Sequence, residues 1–390
     1  MKVVVALDSF KGSVSSADAG LAVAKGVRTA RPDADVTVLP IADGGEGTLE
    51  AWAGGPRYSD TNAELVSEYA ANCFGAWVPA QYLLETQDFT GGEKPTRAIL
   101  ECAQTVGLVG AGVIDDTTSL RASSASLGEQ LLRVLELGVS NVAIGLGGSA
   151  CTDGGVGFLL ALGAKITDAQ GNAIQVIPGK NPLLDGPIHI ELPDLGKRFG
   201  NVELIAMTDV SNPLTGPAGA ARIFGPQKGA TSDQIKLLER RMEHWAKALA
   251  AAGRSVAEVP GAGAAGGLGA ALLALGAQVK PGLDYLVDQL GYTECFRGAD
   301  LVFTGEGAID ASTMGGKAPA AIAKLAKKMG NARVVALAGK VDLQGLTLTN
   351  IDQVLCIHEP GLPLEIAMNP QVTLSSMETT ARGVVQPPGT

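Results

Sequence analysis

Short apolar runs recur along the whole chain, and each ends in a turn: Val3–Leu7, Val36–Ile41, Val142–Ile144, Val202–Met207, Leu301–Thr304, Val334–Leu337 and Gln353–Ile357. Runs of this length bounded by turn residues read as strands buried on both faces, the form that strands take in parallel sheets. Parallel strands need crossovers, and helical patterns fill the gaps. Ser15 with Asp18 three residues later marks a helix start, and Pro32 its stop. Thr231 with Gln234 opens a second helix, in which Ile235, Leu238, Met242, Trp245 and Leu249 keep helical spacing until Gly253. A helix near Leu127–Leu137 stops at Gly138, and another runs from Pro319 to Gly330. The predicted class is therefore α/β, with parallel strands and helices on both faces. Residues 55–97 depart from this order. Around the turn Thr90-Gly91-Gly92-Glu93 they read as strands or a hairpin, and Ala98–Ala103 as either a strand or a helix start. At 390 residues the chain is long enough for two domains.

Composition removes several classes of partner. The net charge of −10 provides no basic footprint for nucleic acid or an anionic membrane. The uncharged stretch Val259–Val279 is mostly Gly and Ala, too weakly apolar to span a bilayer. Five cysteines without a CxxC pair read as reduced thiols. No basic-plus-apolar leader opens the sequence, so a cytoplasmic location is expected.

The turns after the strands carry the chemistry. They contain Asp8, Asp43 with Glu46, Asp153, Asp209, and Glu306 with Asp310. In open α/β sheets, ligands bind outside the carboxyl ends of the strands. Carboxylates gathered there repel unless a cation or a basic group neutralises them, and Mg²⁺ suits an all-oxygen set that also meets phosphate. The competing reading makes each Asp a helix cap or turn former. Glycine-rich segments at predicted helix starts, Gly145–Gly148 and Gly261–Gly267, can turn backbone N–H groups toward a phosphate. Lys11, Lys228 and Lys317 lie in or beside turns, either balancing phosphate charge or simply solvated. Gly261-x-Gly263-x-x-Gly266 matches the dinucleotide fingerprint, with Asp284 downstream. With 52 glycines, about one such match arises by chance, and no predicted strand precedes it. The Walker pattern GxxxxGK[ST] is absent. His189, His244 and His358 form no triad that spacing supports, so general-base work falls to a carboxylate.

Taken in order, LDSFKGS (7–13), ADGGEGT (42–48), IGLGGSA (144–150), DVSNPLTG (209–216), FGPQKG (224–229), Gly261–Leu272 and TGEG (304–307) resemble the bacterial glycerate kinases over nearly the whole chain. The resemblance implies ATP-dependent, Mg²⁺-assisted phosphorylation of a D-glycerate hydroxyl. It also implies two α/β domains with the active site in the cleft between them. One is flavodoxin-like, residues 1–56 plus 286–390; the other is an inserted mixed α/β domain, 57–285. A monomer or homodimer is expected, with D-glycerate or a related hydroxyacid and a nucleotide as partners.

On residue type and loop position, Asp8, Lys11, Asp209 and Glu306 are expected to be catalytic. Ser9, Asp43, Glu46, Gly147, Gly148, Ser149, Asp153 and Lys317 are expected to hold substrate or phosphate, and Asp209, Glu306 and Asp310 the metal. The chain also departs from the family pattern. Ala308, Ser312 and Gly315 stand where the family has Arg, Gln and His, and Cys151-Thr152 where it has Thr-Asn. Ala125-Ser126 replaces an aromatic-Gly pair, and Gln130 displaces a Leu. Loss of an Arg removes a bidentate anion clamp, which motivates an alternative: a non-catalytic or altered-specificity paralogue that binds a hydroxyacid or nucleotide.

Overall fold

The computed structural model describes residues 1–55, 62–89, 92–108, 112–310, 313, 317–343 and 349–386. It divides into two compact units, one comprising Met1–Asp43, Glu50–Asp60 and Leu283–Thr390, the other Gly44–Leu49 and Thr61–Gly282. Strands are numbered in chain order across both.

The first unit is built on β1 (Lys2–Leu7), β2 (Asp35–Val38), β11 (Leu301–Ile309), β12 (Arg333–Val341) and β13 (Gln353–Cys356). All are parallel, in the order β13-β12-β11-β1-β2. Val3, Val5 and Leu7 pack with Val23 and Val27 of the helix Ser16–Ala30 and with Met377 and Ala381 of the helix Pro370–Val385. Val4, alternating to the opposite face, is equally buried, so the sheet is covered on both sides. Renumbered within this unit, the order is 2-1-3-4-5, the flavodoxin-like order, and it reverses between β1 and β11.

Two strand limits differ from the sequence reading. β2 ends at Val38, because Leu39 makes a last bond to Val5 (2.8 Å) and Pro40 has no N–H to continue. β11 runs on to Ile309, paired with β12 as far as Val341, so the TGEG segment is strand and not loop.

The second unit holds β3 (Asn62–Ala71), β4 (Trp77–Phe89), β5 (Gly92–Glu101), β6 (Asn141–Gly145), β9 (Glu203–Met207) and β10 (Gln278–Lys280). The sheet order is β10-β9-β6-β5-β4-β3. β3, β4 and β5 form the expected antiparallel meander, although Thr90 and Gly91 of the predicted turn lie outside the described residues. β5, β6, β9 and β10 are parallel. The ambiguous Ala98–Ala103 proves to be both forms: β5 ends at Glu101 and the helix Cys102–Val106 starts at once. A separate antiparallel pair joins β7 (Lys165–Asp168) to β8 (Ile188–Glu191).

The helix Ser232–Ala251 carries the full Thr231–Gln234 capping box and buries Leu238, Met242, Trp245 and Leu249. Within the uncharged stretch 259–279 lies the helical segment Ala264–Ala274, kinked by left-handed backbone at Ala265, Gly266 and Gly267 and buried nearly all round. Burial on every side explains why that helix has no polar stripe. Among the described residues, no helix is long and apolar enough to cross a membrane.

Candidate active site

In the first unit the carboxylates gather where the strand order reverses. Asp8 directly follows β1, and its backbone N–H donates to the Gly305 carbonyl (2.9 Å) of β11, which extends the ladder by one residue. That bond places Asp8 beside Glu306. The Asp8 carboxylate is 9% exposed and accepts the Ser9 N–H at 2.7 Å. Burial first, then the charge of Asp43, push its pKa from 3.8 to about 7; Glu306 adds to the rise, while the Ser9 amide and Lys11 oppose it.

Glu306 is also raised, mainly by burial. It accepts the Thr313 hydroxyl (2.8 Å) and lies 3.5 Å from the Lys317 ammonium. Thr313 in turn accepts the Asp310 N–H at 3.2 Å, a short relay that orients Glu306. Lys11 stands 3.8 Å from Asp43. The turn that carries Lys11 needs Gly12 at φ +78°, a backbone state that side chains disfavour. Ser13 ties the same turn to Thr373 at 2.7 Å. The structure thus brings together Asp8, Ser9, Lys11, Asp43, Glu306, Asp310 and Lys317 in one unit. Thr313 had no sequence signal; a lone threonine in the segment after TGEG looks like any turn residue.

The remaining expected residues belong to the second unit. The loop after β6 is locked from below. The Gly147 N–H donates to the Gly44 carbonyl (3.1 Å), so that amide is already committed to packing the ADGGEGT segment. A Cβ at Gly147 would overlap the backbone of Gly45. Glu101, a buried acid that sequence reading left unassigned, accepts the Leu49 N–H at 2.6 Å and the Gln104 amide at 3.0 Å. The Gly148 carbonyl accepts the Leu108 N–H (2.8 Å).

Asp153 requires a correction. It is fully buried and accepts the Ser124 N–H and hydroxyl (both 2.8 Å), the Gly155 N–H (3.1 Å) and the Gly157 N–H (3.2 Å). Burial raises its pKa and these bonds pull it back. It organises the loop and has no surface to offer a substrate.

Lys228, read as a solvated lysine or a phosphate partner, is 1% exposed. Its ammonium donates to Cys151 O at 2.6 Å and to Ser149 Oγ at 3.0 Å, and burial lowers its pKa.

The segment Gly261–Gly267 is also not a nucleotide fingerprint. The element directly before it is the helix Ser232–Ala251, not a strand, and β10 comes only after it. A Cβ at Gly266 (φ +66°) would overlap the Cys151 carbonyl, and the Gly266 carbonyl accepts the Gly154 N–H at 3.0 Å. Its glycines allow two backbones to touch.

Asp209 is exposed in the loop after β9 and accepts the Gly282 N–H at 2.9 Å; Glu46 is exposed as well. Among the described residues no group of three or more His, Cys, Asp or Glu side chains is set to hold a metal, so Asp209, Glu306 and Asp310 are not a preformed triad. Asp209 belongs to one unit, and Glu306 and Asp310 to the other.

Of the departures, Ala308 is exposed on β11, while Ser312 and Gly315 lie outside the described residues. Gln130 is buried and donates to Glu68 (3.1 Å), joining the Arg133–Glu68 ion pair (2.7 Å). Its amide nitrogen is therefore satisfied where a Leu was expected, whereas its Oε1 is buried with no partner among the described residues.

These features define an α/β protein with a parallel five-stranded sheet, a mixed six-stranded sheet and an acid cluster at the reversal point of the first. The chain belongs to the glycerate kinase family, whose sequence model matches residues 3–386. It is 37% identical over 388 residues to the glycerate kinase of Bacillus subtilis (strain 168), covering 98% of this chain and 97% of that one. It is 38% identical over 365 residues to the glycerate 2-kinase of Escherichia coli (strain K12), covering 93% and 89%. A crystal structure described as glycerate kinase 2 from Salmonella typhimurium LT2 matches with a TM-score of 0.78 at 37% identity, covering 98% of this chain and 97% of that one.

Proposed function

We propose that the protein transfers the γ-phosphoryl group of ATP to a hydroxyl of D-glycerate, giving a phosphoglycerate and ADP. The observation that carries this reading is the cluster of Asp8, Asp43 and Glu306, flanked by Lys11 and Lys317, where the strand order reverses between β1 and β11. The family membership and the names of the relatives support it. Phosphoryl transfer asks mainly for positioning and charge neutralisation.

In this scheme Asp8 accepts the proton of the attacking glycerate hydroxyl as the new O–P bond forms and the bond to the β-phosphate bridging oxygen breaks. A carboxylate poised near neutrality suits that work. Glu306, oriented by Thr313, and the ammonium groups of Lys11 and Lys317 set the local charge.

The donor set fits Mg²⁺: it is all carboxylate oxygen, and the charge of Asp310 adds to the rise that burial causes in the pKa of Glu306. Glu306 and Asp310 would hold it. With few protein ligands, such an ion completes its shell with phosphate oxygens and water and supplies charge neutralisation when bound. The first compact unit is read as the flavodoxin-like domain and the second as the inserted one.

A coupled ADP-release assay with ATP, Mg²⁺ and D-glycerate tests the proposal; absence of turnover with glycerate and related hydroxyacids removes it. Ala308, in place of a guanidinium on β11, favours one other reading, a binding paralogue. That protein would be stabilised thermally by ATP or D-glycerate without releasing ADP.

A further inference from the structure

Lys228 lies between the helices Ala220–Phe224 and Ser232–Ala251, on a single 3₁₀ turn, Pro226–Lys228. It is too buried to touch a ligand; among the described residues no carboxylate comes within ion-pair distance of it, although the Asp153 charge acts on it from farther away. Two of its N–H groups are placed: one on the Cys151 carbonyl, one on the Ser149 hydroxyl. The ammonium supplies three N–H donors and the neutral amine two, so both bonds can stand in either protonation state. A hydroxyl that accepts from a lysine keeps its own proton for another partner. Among the described residues, the Ser149 hydroxyl has no acceptor for that proton. Ser149 retains 4% exposure, in the loop just past the carboxyl end of β6, the side of a parallel sheet where ligands bind. The loop around it has little freedom. The Gly148 carbonyl, the Ala150 N–H, the Gly154 N–H and the Asp153 carboxylate are each fixed by a hydrogen bond to another element.

We propose that Lys228 is a positioning residue that acts through Ser149, fixing that hydroxyl as a donor to an anionic oxygen of the substrate, on either a phosphate or the glycerate carboxylate. This inference rests on the kinase reading for the identity of its ligands. The two sources share one chemistry, and separate kinetic arms distinguish them.

The test uses the full chain as wild type, S149A, S149T, K228M and S149A/K228M. Michaelis constants are measured for ATP and for D-glycerate, together with kcat and the melting temperature. S149A is expected to raise the constant of one substrate by about ten- to a hundredfold, the loss of a hydrogen bond to a charged group. The other constant should change little, the melting temperature should fall modestly as the buried Lys228 loses one acceptor, and S149T should restore the affected values. A phosphate ligand appears in the ATP arm, a carboxylate ligand in the glycerate arm. K228M should raise the same constant when Ser149 is present and add nothing when it is absent.

The proposal is overturned if S149A leaves both constants unchanged, or if K228M acts equally in both backgrounds. Should K228M fail to fold, K228Q and S149A/K228Q take its place in the same comparison. Should the wild type release no ADP, the kinase reading fails by itself. Calorimetric binding of ATP, D-glycerate and inorganic phosphate to wild type and S149A then decides the hydroxyl's role. Weaker binding of one probe to S149A sustains it; equal binding, or none to the wild type, rejects it.

Discussion

Replacing Asp8 by Asn should make the protein more stable and inactive at once. Asp8 titrates at 3.8 when free and at about 7 in the fold. Between those values the folded chain holds a proton that the unfolded chain has released, so wild-type stability falls as pH rises through this window. At about 1.36 kcal/mol per unit, the raised pKa costs the fold roughly 4 kcal/mol at pH 8, where Asp8 must be buried ionised, and about 1.5–2 kcal/mol at pH 5, where it must take up a proton. The amide of D8N keeps an oxygen for the Ser9 N–H, yet has no charge to bury or to set against Asp43 and Glu306. The variant should therefore gain about 2–4 kcal/mol at pH 8, and distinctly less at pH 5. Urea denaturation in EDTA at the two pH values measures the gain, with ADP release followed on the same samples in Mg²⁺. In the wild type, kcat/KM should rise with pH and level off above about 7, as the base ionises. A variant no more stable than wild type at pH 8, or one that keeps wild-type turnover, would refute the reasoning: the first removes the buried repulsion, the second the base.

Glu306→Gln should lower kcat by about a hundredfold or more with the fold intact, since the amide still accepts from Thr313 but no longer pairs with Lys317; steady-state kinetics and circular dichroism separate the two. Chelation by EDTA should abolish ADP release, and added Mg²⁺ should restore it, if carboxylates supply the metal ligands. Gly266→Ala should destabilise by about 2–4 kcal/mol, because the new methyl meets the Cys151 carbonyl at a left-handed φ; thermal melting reads this directly. Asp153→Ala, which strands the donors of Ser124, Gly155 and Gly157 in the core, should cost about 3–5 kcal/mol and appear as lost soluble yield or a large fall in melting temperature.

The local signals were legible where one element decides its own form. Buried strands declare themselves by short apolar runs, and the Thr231–Gln234 box lies within four residues, so β1, β9, β12 and the helix Ser232–Ala251 stood where the pattern put them. The TGEG segment misled because glycine and a charge usually end a strand. Here β12 continues beside it and keeps its backbone paired to Ile309. The glycines of 261–267 looked the same as a phosphate turn, because a Gly that admits a ligand and one that admits a neighbouring backbone lack the same atom.

By its own order of residues the chain determined that carboxylates would follow parallel strands, and that acid chemistry would do any proton transfer. Which carboxylates meet was decided only by folding. Strand order sets Asp8 of the chain's start beside Glu306 of its last third, while Asp153, with the same local signature, is buried among four donors and organises a loop. The fate of Lys228 was equally hidden. A lysine's surroundings depend on contacts some eighty positions away, and no window of sequence contains the Ser149 hydroxyl that it holds.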